Sequence, residues 1–260
     1  MLDYNKICEG TSYYKTTAET YFTNRLKSKI KKLFDKATNN PEKRHNILDI
    51  GCYIGTDIFM LGLGKKNIQF YGTDISKEVI KRAKMLTKFR NVKNVEFKVS
   101  DSNKKLPFKD NFFDLIICSE VIEHLKNPSK FLKDCHKKLK KGGSLIVTTP
   151  NLGYPFIKFG KLINVNKFRE QEFTRIGKTI TKEDWDEKGH ISLMNNKELF
   201  KLLKNNNFEI TANEGVSIFG GNSFFDYHLT ALSIMILLDS IFHRFKSLSH
   251  GILISAKALK

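Results

Sequence analysis

The stretch that most constrains this chain is ILDIGCYIGTD, residues 47–57. A short apolar run ends in an acid, Asp49, and two glycines follow at Gly51 and Gly55. This is the pattern of a buried strand that turns sharply into a helix, with glycines where a ligand approaches the backbone. In open α/β sheets such turns lie at the carboxyl ends of the strands, where ligands bind.

The sequence on either side supplies the rest of such a sheet. Apolar runs at 68–74, 95–101, 112–120 and 144–150 read as strands, the fourth apolar enough to be buried on both faces. Helix patterns fall between them. The apolar face of 17–38 carries Phe22, Leu26, Ile30 and Leu33, and 55–64 follows the glycine turn. A helix at 76–89 has Ser76 as its N-cap, and another starts at Pro128 and is expected to end at KKGG, 140–143. Strands alternating with helices imply a doubly wound α/β sheet. The expected organisation is an N-terminal helical cap at 1–45, a ligand-binding core at 46–150, and substrate-side insertions plus the last strands of the same sheet at 151–260.

In that last third, 195–208 reads as a helix with asparagine capping, and 208–215 and 250–259 as strands. Residues 225–245 are strongly apolar, but their core runs for about ten residues before Asp239, short of the roughly 20 that a spanning helix needs. Core packing, a lid, or contact with a lipid-like substrate or a membrane surface are the open readings.

The formal charge of +18 points toward nucleic acid, yet 38 of the 45 basic residues are Lys and only 7 are Arg, the better reader of phosphates and bases. In KFLKDCHKKLKK, 130–141, the residues Phe131, Leu132, Cys135 and Leu139 form an apolar stripe with the lysines elsewhere, as on a solvated helix. A nucleic-acid partner is therefore not expected. The four cysteines show no CxxC pairing, and MLDYNKICEG lacks the features of a secretory signal, so a cytoplasmic location is expected.

The glycine turn lacks the GxGxxG of dinucleotide sites, and Asp49 would repel a pyrophosphate but attract an ammonium group. Asp74 and Asp101 end the next two expected strands. Three acids at successive strand ends suit a ligand with a cationic end, a ribose and an adenine. The blocks ILDIGCYIG, YGTDIS, VSDSNKKLPFKDNFFDLIICSEVIEHL and LKKGGSLIVTTPN together resemble the class I S-adenosylmethionine-dependent methyltransferases. The resemblance implies a seven-stranded sheet with the last strand antiparallel, and S-adenosyl-L-methionine as cofactor. It implies that Asp49, Gly51 and Gly55 line the methionine end. Asp74 would bind the ribose, Ile75 would pack on the adenine, Asp101 would reach its amino group, and Ser102 would lie beside the ring. Ser119 and Glu120 would end the fourth strand near the sulfonium. The chain departs from the family at Tyr53, where a glycine is usual.

An oxygen acceptor needs a base, and His124 and His190 are the candidates, each with an alternative structural role. Glu120, Glu123 and His124 form E-x-x-E-H, and with His190 they resemble the metal set of small-RNA 3′-terminal 2′-O-methyltransferases. The leading expectation is methyl transfer to an oxygen or nitrogen of a small-molecule, sugar or lipid-like acceptor. The alternatives are the metal-assisted RNA reaction and a non-catalytic binding module.

Overall fold

The computed structural model describes residues 17–62, 64–154, 190–218, 229–242 and 245–260; the side chains of 17–19 and 229–232 are not described. Seven strands form one sheet: β1 (His45–Ile50), β2 (Ile68–Asp74), β3 (Val95–Val99), β4 (Phe113–Ser119), β5 (Leu139–Pro150), β6 (Phe208–Gly215) and β7 (Gly251–Ala258), in the order β3-β2-β1-β4-β5-β7-β6. The first five pair in parallel, and β7 runs antiparallel to both β5 and β6. The described helices are α1 (Thr17–Ala37), α2 (Thr56–Gly62), α3 (Lys77–Phe89), α4 (Pro128–Lys138), α5 (Asn196–Asn205) and α6 (Leu229–Phe242). The expected doubly wound sheet is present, with the expected antiparallel last strand.

Alternating residues of each central strand enter two apolar layers. Leu48, Ile116, Cys118 and Val147 pack with Leu132 and Cys135 of α4 and Leu199 and Leu203 of α5. Ile47, Leu115, Ile117 and Ile146 pack with Leu26, Ile30 and Phe34 of α1, Ile58 of α2, and Ile80 and Ala83 of α3. Burial on both faces is why β4 reads as an unbroken apolar run. Local chemistry fixes the helix starts. The Ser76 side chain accepts from the backbone N–H of Val79, Asn127 caps α4 one residue before Pro128, and Asn195 and Glu198 form a reciprocal capping box on α5.

Three expectations need correction. The third strand stops at Val99, so Asp101 lies two residues beyond it rather than at its end. The helix α4 ends at Lys138, before KKGG, because Leu139 turns extended and pairs with Phe113; the residues 140–143 belong to β5. Nor do all of its lysines face solvent. Lys138 is buried, its Nζ 2.7 Å from a carboxylate oxygen of Asp110. Phe156, Phe159, Trp185, Phe219, Phe224, Phe225 and Tyr227, the aromatics of the expected substrate-side insertions, fall outside the described residues.

The apolar segment before residue 245 forms α6. No described helix is long and apolar enough to cross a membrane. Among the described side chains of α6, Met235 and Asp239 are buried, whereas Ile234, Leu237 and Ile241 are more than half exposed. A carboxylate hub holds the helix down. Asp239 accepts from Ser217 Oγ at 2.8 Å, the Ile218 N–H at 2.7 Å and Tyr21 Oη at 2.9 Å, and pairs with Arg25 at 3.0 Å.

At the start of β7, the His250 ring meets Phe22 and Tyr154 edge-on, and its enclosed Nδ1 has no hydrogen-bond partner. Desolvation pushes its pKa down to about 4. The unfolded chain takes up this proton near pH 6.5, and the folded protein only near pH 4. His250 thus contributes stability that is intact above pH 6.5 and lost as the pH falls toward 4, on the order of 2–3 kcal/mol. Urea midpoints at pH 7.5 and 4.5 should converge in His250→Leu relative to the parent; equal slopes in both proteins would refute this.

Candidate active site

The order of the strands reverses between β1 and β4, and the candidate site opens at the carboxyl ends of these two. Asp49 lies opposite Gly72 of β2 and Ile117 of β4, in the centre of the sheet. The turn that follows is left-handed at three positions: Gly51 (φ +70), Tyr53 (φ +50) and Gly55 (φ +87). At the two glycines the packing demands it as well. A Cβ on Gly51 would sit 2.4 Å from Val121 Cγ2, and one on Gly55 would sit 2.8 Å from the ring of Phe97. Gly51 also lines the cavity described below.

Tyr53 takes the left-handed backbone conformation that favours glycine, at a cost of about 1–2 kcal/mol for a residue with a side chain in this region. Its N–H donates to Asp74 Oδ2 at 3.2 Å, and Asp74 Oδ1 accepts from the Ser76 N–H at 2.9 Å. The second acid therefore braces the turn that the first precedes.

A cavity of about 230 Å³ is lined by Asp49, Gly51, Tyr53, Ser119 and Glu120 from the sheet end, by Thr56 and Asp57 of α2, and by Phe22, Thr23, Leu26 and Lys27 of α1. It unites Asp49, Gly51, Ser119 and Glu120 of the residues expected at the methionine and sulfonium end. The remaining five, Gly55, Asp74, Ile75, Asp101 and Ser102, are not part of its wall. Ile75 is 67% exposed, so its side chain is available as an open platform rather than a core contact. Asp101 Oδ1 accepts from the Asn103 N–H at 2.9 Å, closing a local turn beside Ser102.

Asp49 is 3% exposed, and its Oδ2 has no hydrogen-bond partner. Burial, then the charges of Asp57 and Asp74, hold its carboxyl well above the ordinary carboxylate range, and Lys27 opposes them. Lys27 itself pairs with Asp57, its Nζ 2.5 and 2.6 Å from the two carboxylate oxygens. At the other wall Glu120 adopts φ +55 and its Oε1 accepts from Thr148 Oγ1 at 2.8 Å. Burial raises its carboxyl too, against the Thr148 hydroxyl and the Lys27 charge. The contribution of α1 was missed in the sequence. Lys27 carries no local signal of function, and only the packing of α1 over the β1 turn brings it to Asp57.

The two histidines expected as bases come together. Their rings are 4.6 Å apart between centroids, with His124 on a 3-10 turn (Ile122–His124) after β4. Glu123 of the same turn is completely buried; burial and the neighbouring Glu120 raise its carboxyl to about 8. Of the four residues considered as a metal set, Glu123, His124 and His190 cluster, and Glu120 does not join them.

A family model described as a methyltransferase domain matches residues 18–213, three quarters of the chain. This chain belongs to the methyltransferase-domain family. Among curated relatives, the mitochondrial ubiquinone biosynthesis O-methyltransferase of Rattus norvegicus is 36% identical over 107 residues, 40% of this chain and 30% of that protein. The ajmaline N-methyltransferase of Rauvolfia serpentina is 34% identical over 117 residues, 44% of this chain and 39% of that protein. The methyltransferase-domain chain thus spans well under half the length of these relatives. Among solved structures, an S-adenosylmethionine-dependent methyltransferase from Aquifex aeolicus aligns over all of both chains, with a TM-score of 0.56 and 16% identity. The 4+2 cyclase SpnF aligns over 88% of this chain and 80% of its own, with a TM-score of 0.57 and 17% identity. These two likenesses are of fold alone. S-adenosylmethionine is the methyl donor the family implies, and the donor set fits it. A buried carboxylate with an unfilled oxygen faces a cavity at the switch point, as a ligand with an ammonium group requires.

Proposed function

We propose that this chain transfers the methyl group of S-adenosylmethionine to an oxygen or nitrogen of a small-molecule, sugar or lipid-like acceptor. The unpartnered Oδ2 of Asp49 in the cavity wall carries the reading, because a cationic ligand is what offsets a desolvated carboxylate there. The cofactor, when bound, supplies an already activated methyl group. The chain's part is to hold and orient. Asp49 would receive the ammonium, Lys27 would face the carboxylate end from α1, and Asp74 would accept from the ribose hydroxyls. Ser119 and Glu120 would bound the space where the acceptor meets the methyl.

Both an O- and an N-methyltransferase stand among the relatives, which supports the breadth of the acceptor class rather than one atom. The apolar faces that α6 leaves exposed, with Ile234, Leu237 and Ile241, support an acceptor with a lipid-like part, or contact with a membrane surface where one resides.

The test is calorimetric titration with S-adenosylhomocysteine across pH. Because Asp49 must be ionised to hold the ammonium and its carboxyl titrates high, affinity should fall as pH drops from neutral, beginning above the ordinary carboxylate value of 3.8. Asp49→Asn should bind more weakly at neutral pH and lose this dependence. No binding by the parent protein at any pH would reject the proposal and leave a binding module for something else.

A further inference from the structure

We infer that the loops after β3 and β4, together with α4, form a second binding site, which takes a compact anion bearing two or more phosphate groups. The site is separate from the methyl-donor cavity and does not depend on the methyl-transfer reading.

A cavity of about 510 Å³ lies between these elements. Six lysines line it: Lys104 and Lys105 after β3, Lys126 after β4, and Lys130, Lys133 and Lys137 on α4. In the sequence these lysines look dispersed over a solvated surface. The fold gathers them, because positions 130, 133 and 137 share one face of α4 at helical spacing and that face meets the loop after β3. Among the described residues none of the six makes an ion pair. The one acid in the wall is already engaged. Asp134 Oδ2 accepts from the Leu106 N–H at 2.6 Å, and Oδ1 lies 3.8 Å from Lys138 Nζ. Asp110, whose charge reaches Lys105 and Lys137, is paired with Lys138 at 2.7 Å. Like charges around one concavity repel each other, and a bound anion is what offsets that repulsion.

The cavity is also held in shape. Asn103 Oδ1 accepts from the Lys126 N–H at 2.9 Å, which ties the two loops together. Asp101 Oδ1 accepts from the Asn103 N–H at 2.9 Å, and the bond from Leu106 to Asp134 fastens the loop after β3 to α4. Asn127, also in the wall, caps α4 by accepting from the Lys130 N–H at 2.9 Å, so the positive end of the helix dipole lies on the same side.

The wall also narrows the ligand class. Ammonium groups act on phosphate as point charges, without the fork by which a guanidinium reads a planar group. The wall holds no arginine, and its one aromatic, Phe131, is 4% exposed and offers no platform for a stacked base. Sites for single-stranded nucleic acid combine their charge with such platforms. The volume is that of a small-molecule site. A single orthophosphate would leave most of the lysines uncompensated, so two or more phosphates on one molecule match the wall. The shared chemistry is the oligophosphate group, whether free, on a nucleotide or on a lipid headgroup.

The test is calorimetric titration of the full chain with tripolyphosphate in about 0.15 M salt, which screens a merely diffuse basic surface. One site per chain is expected. Lys130→Glu combined with Lys133→Glu should weaken it by about tenfold or more, since hydrogen bonds to charged groups are among the strong ones. Lys130→Gln with Lys133→Gln, which removes the charges without reversing them, should weaken it by a smaller factor. Lys32→Glu with Lys201→Glu makes the same change in net charge at exposed positions of α1 and α5, and should cost about threefold or less. Urea midpoints near the parent's in all three variants separate loss of the site from loss of fold. Equal losses in the two charge-reversed proteins, binding that does not saturate, or affinity no greater than for orthophosphate would overturn the site. Uridine diphosphate, and vesicles of phosphatidylcholine carrying a bisphosphorylated phosphoinositide, then separate the sources. The form whose binding falls in the Lys130 and Lys133 variant but not in the Lys32 and Lys201 variant is the one the site takes, and selective loss with tripolyphosphate alone assigns it to a free oligophosphate.

Discussion

Asp74→Ala is expected to weaken S-adenosylhomocysteine binding by about 10- to 100-fold, since a charged acceptor for two ribose hydroxyls is worth roughly 1.5–3 kcal/mol. The carboxylate has a second duty that the substitution also removes. It accepts from the N–H groups of Tyr53 and Ser76, and so holds the left-handed turn against its own strain. Asp74→Asn separates the two effects. The amide keeps one acceptor for the turn and loses the charge, so its unfolding midpoint should remain near the parent's while its affinity falls between those of the parent and the alanine variant. Calorimetry on the three proteins decides it. Parental affinity in Asp74→Ala would remove the ribose from this strand end.

Asp239→Ala should cost about 3 kcal/mol of stability, the scale for taking one partner out of a buried ion pair. Its carboxylate is completely buried and gathers Tyr21, Arg25, Ser217 and the Ile218 N–H. Removing it leaves these groups without their common acceptor, and it cuts an attachment of α6 to α1 and to the segment after β6. Urea unfolding measures the loss, and Asp239→Asn, which keeps the acceptor oxygen, should recover part of it. A change below about 1 kcal/mol would mean that apolar contacts such as those of Met235 carry the docking. Because Arg25 lies on α1 two residues before Lys27, the variant also reports on the cavity. If α1 depends on this hub for its position, cofactor affinity falls along with stability.

Tyr53 stands where the family resemblance leads one to expect a glycine. Its backbone is left-handed, the Asp74 carboxylate helps to hold it there, and the residue is part of the cavity wall. Replacing a residue held at positive φ is the reverse of the usual glycine argument: here surrounding bonds impose what the residue disfavours.

The sequence by itself determined the sheet. Buried strands need continuous apolar runs, and helices announce their starts through caps and first-turn prolines, so β2 and β6 fall on the residues expected and α3, α4 and α5 begin where Ser76, Pro128 and the asparagine cap at 195 place them. It also placed Asp49 and Asp74 at the carboxyl ends of β1 and β2, because the apolar runs that mark those strands stop there. Only the tertiary structure decided which acids share an enclosed space. Asp49 is walled in with Asp57 and Lys27, whereas Asp74 and Asp101 stand outside the cavity. It also decided that His190 meets Glu123 and His124 and leaves Glu120 aside. Those outcomes depend on the packing of α1 across the β1 turn and on two hydrogen bonds from Ser192. Contacts between residues tens to hundreds of positions apart leave no local pattern, because periodicity and capping report only on neighbours along the chain.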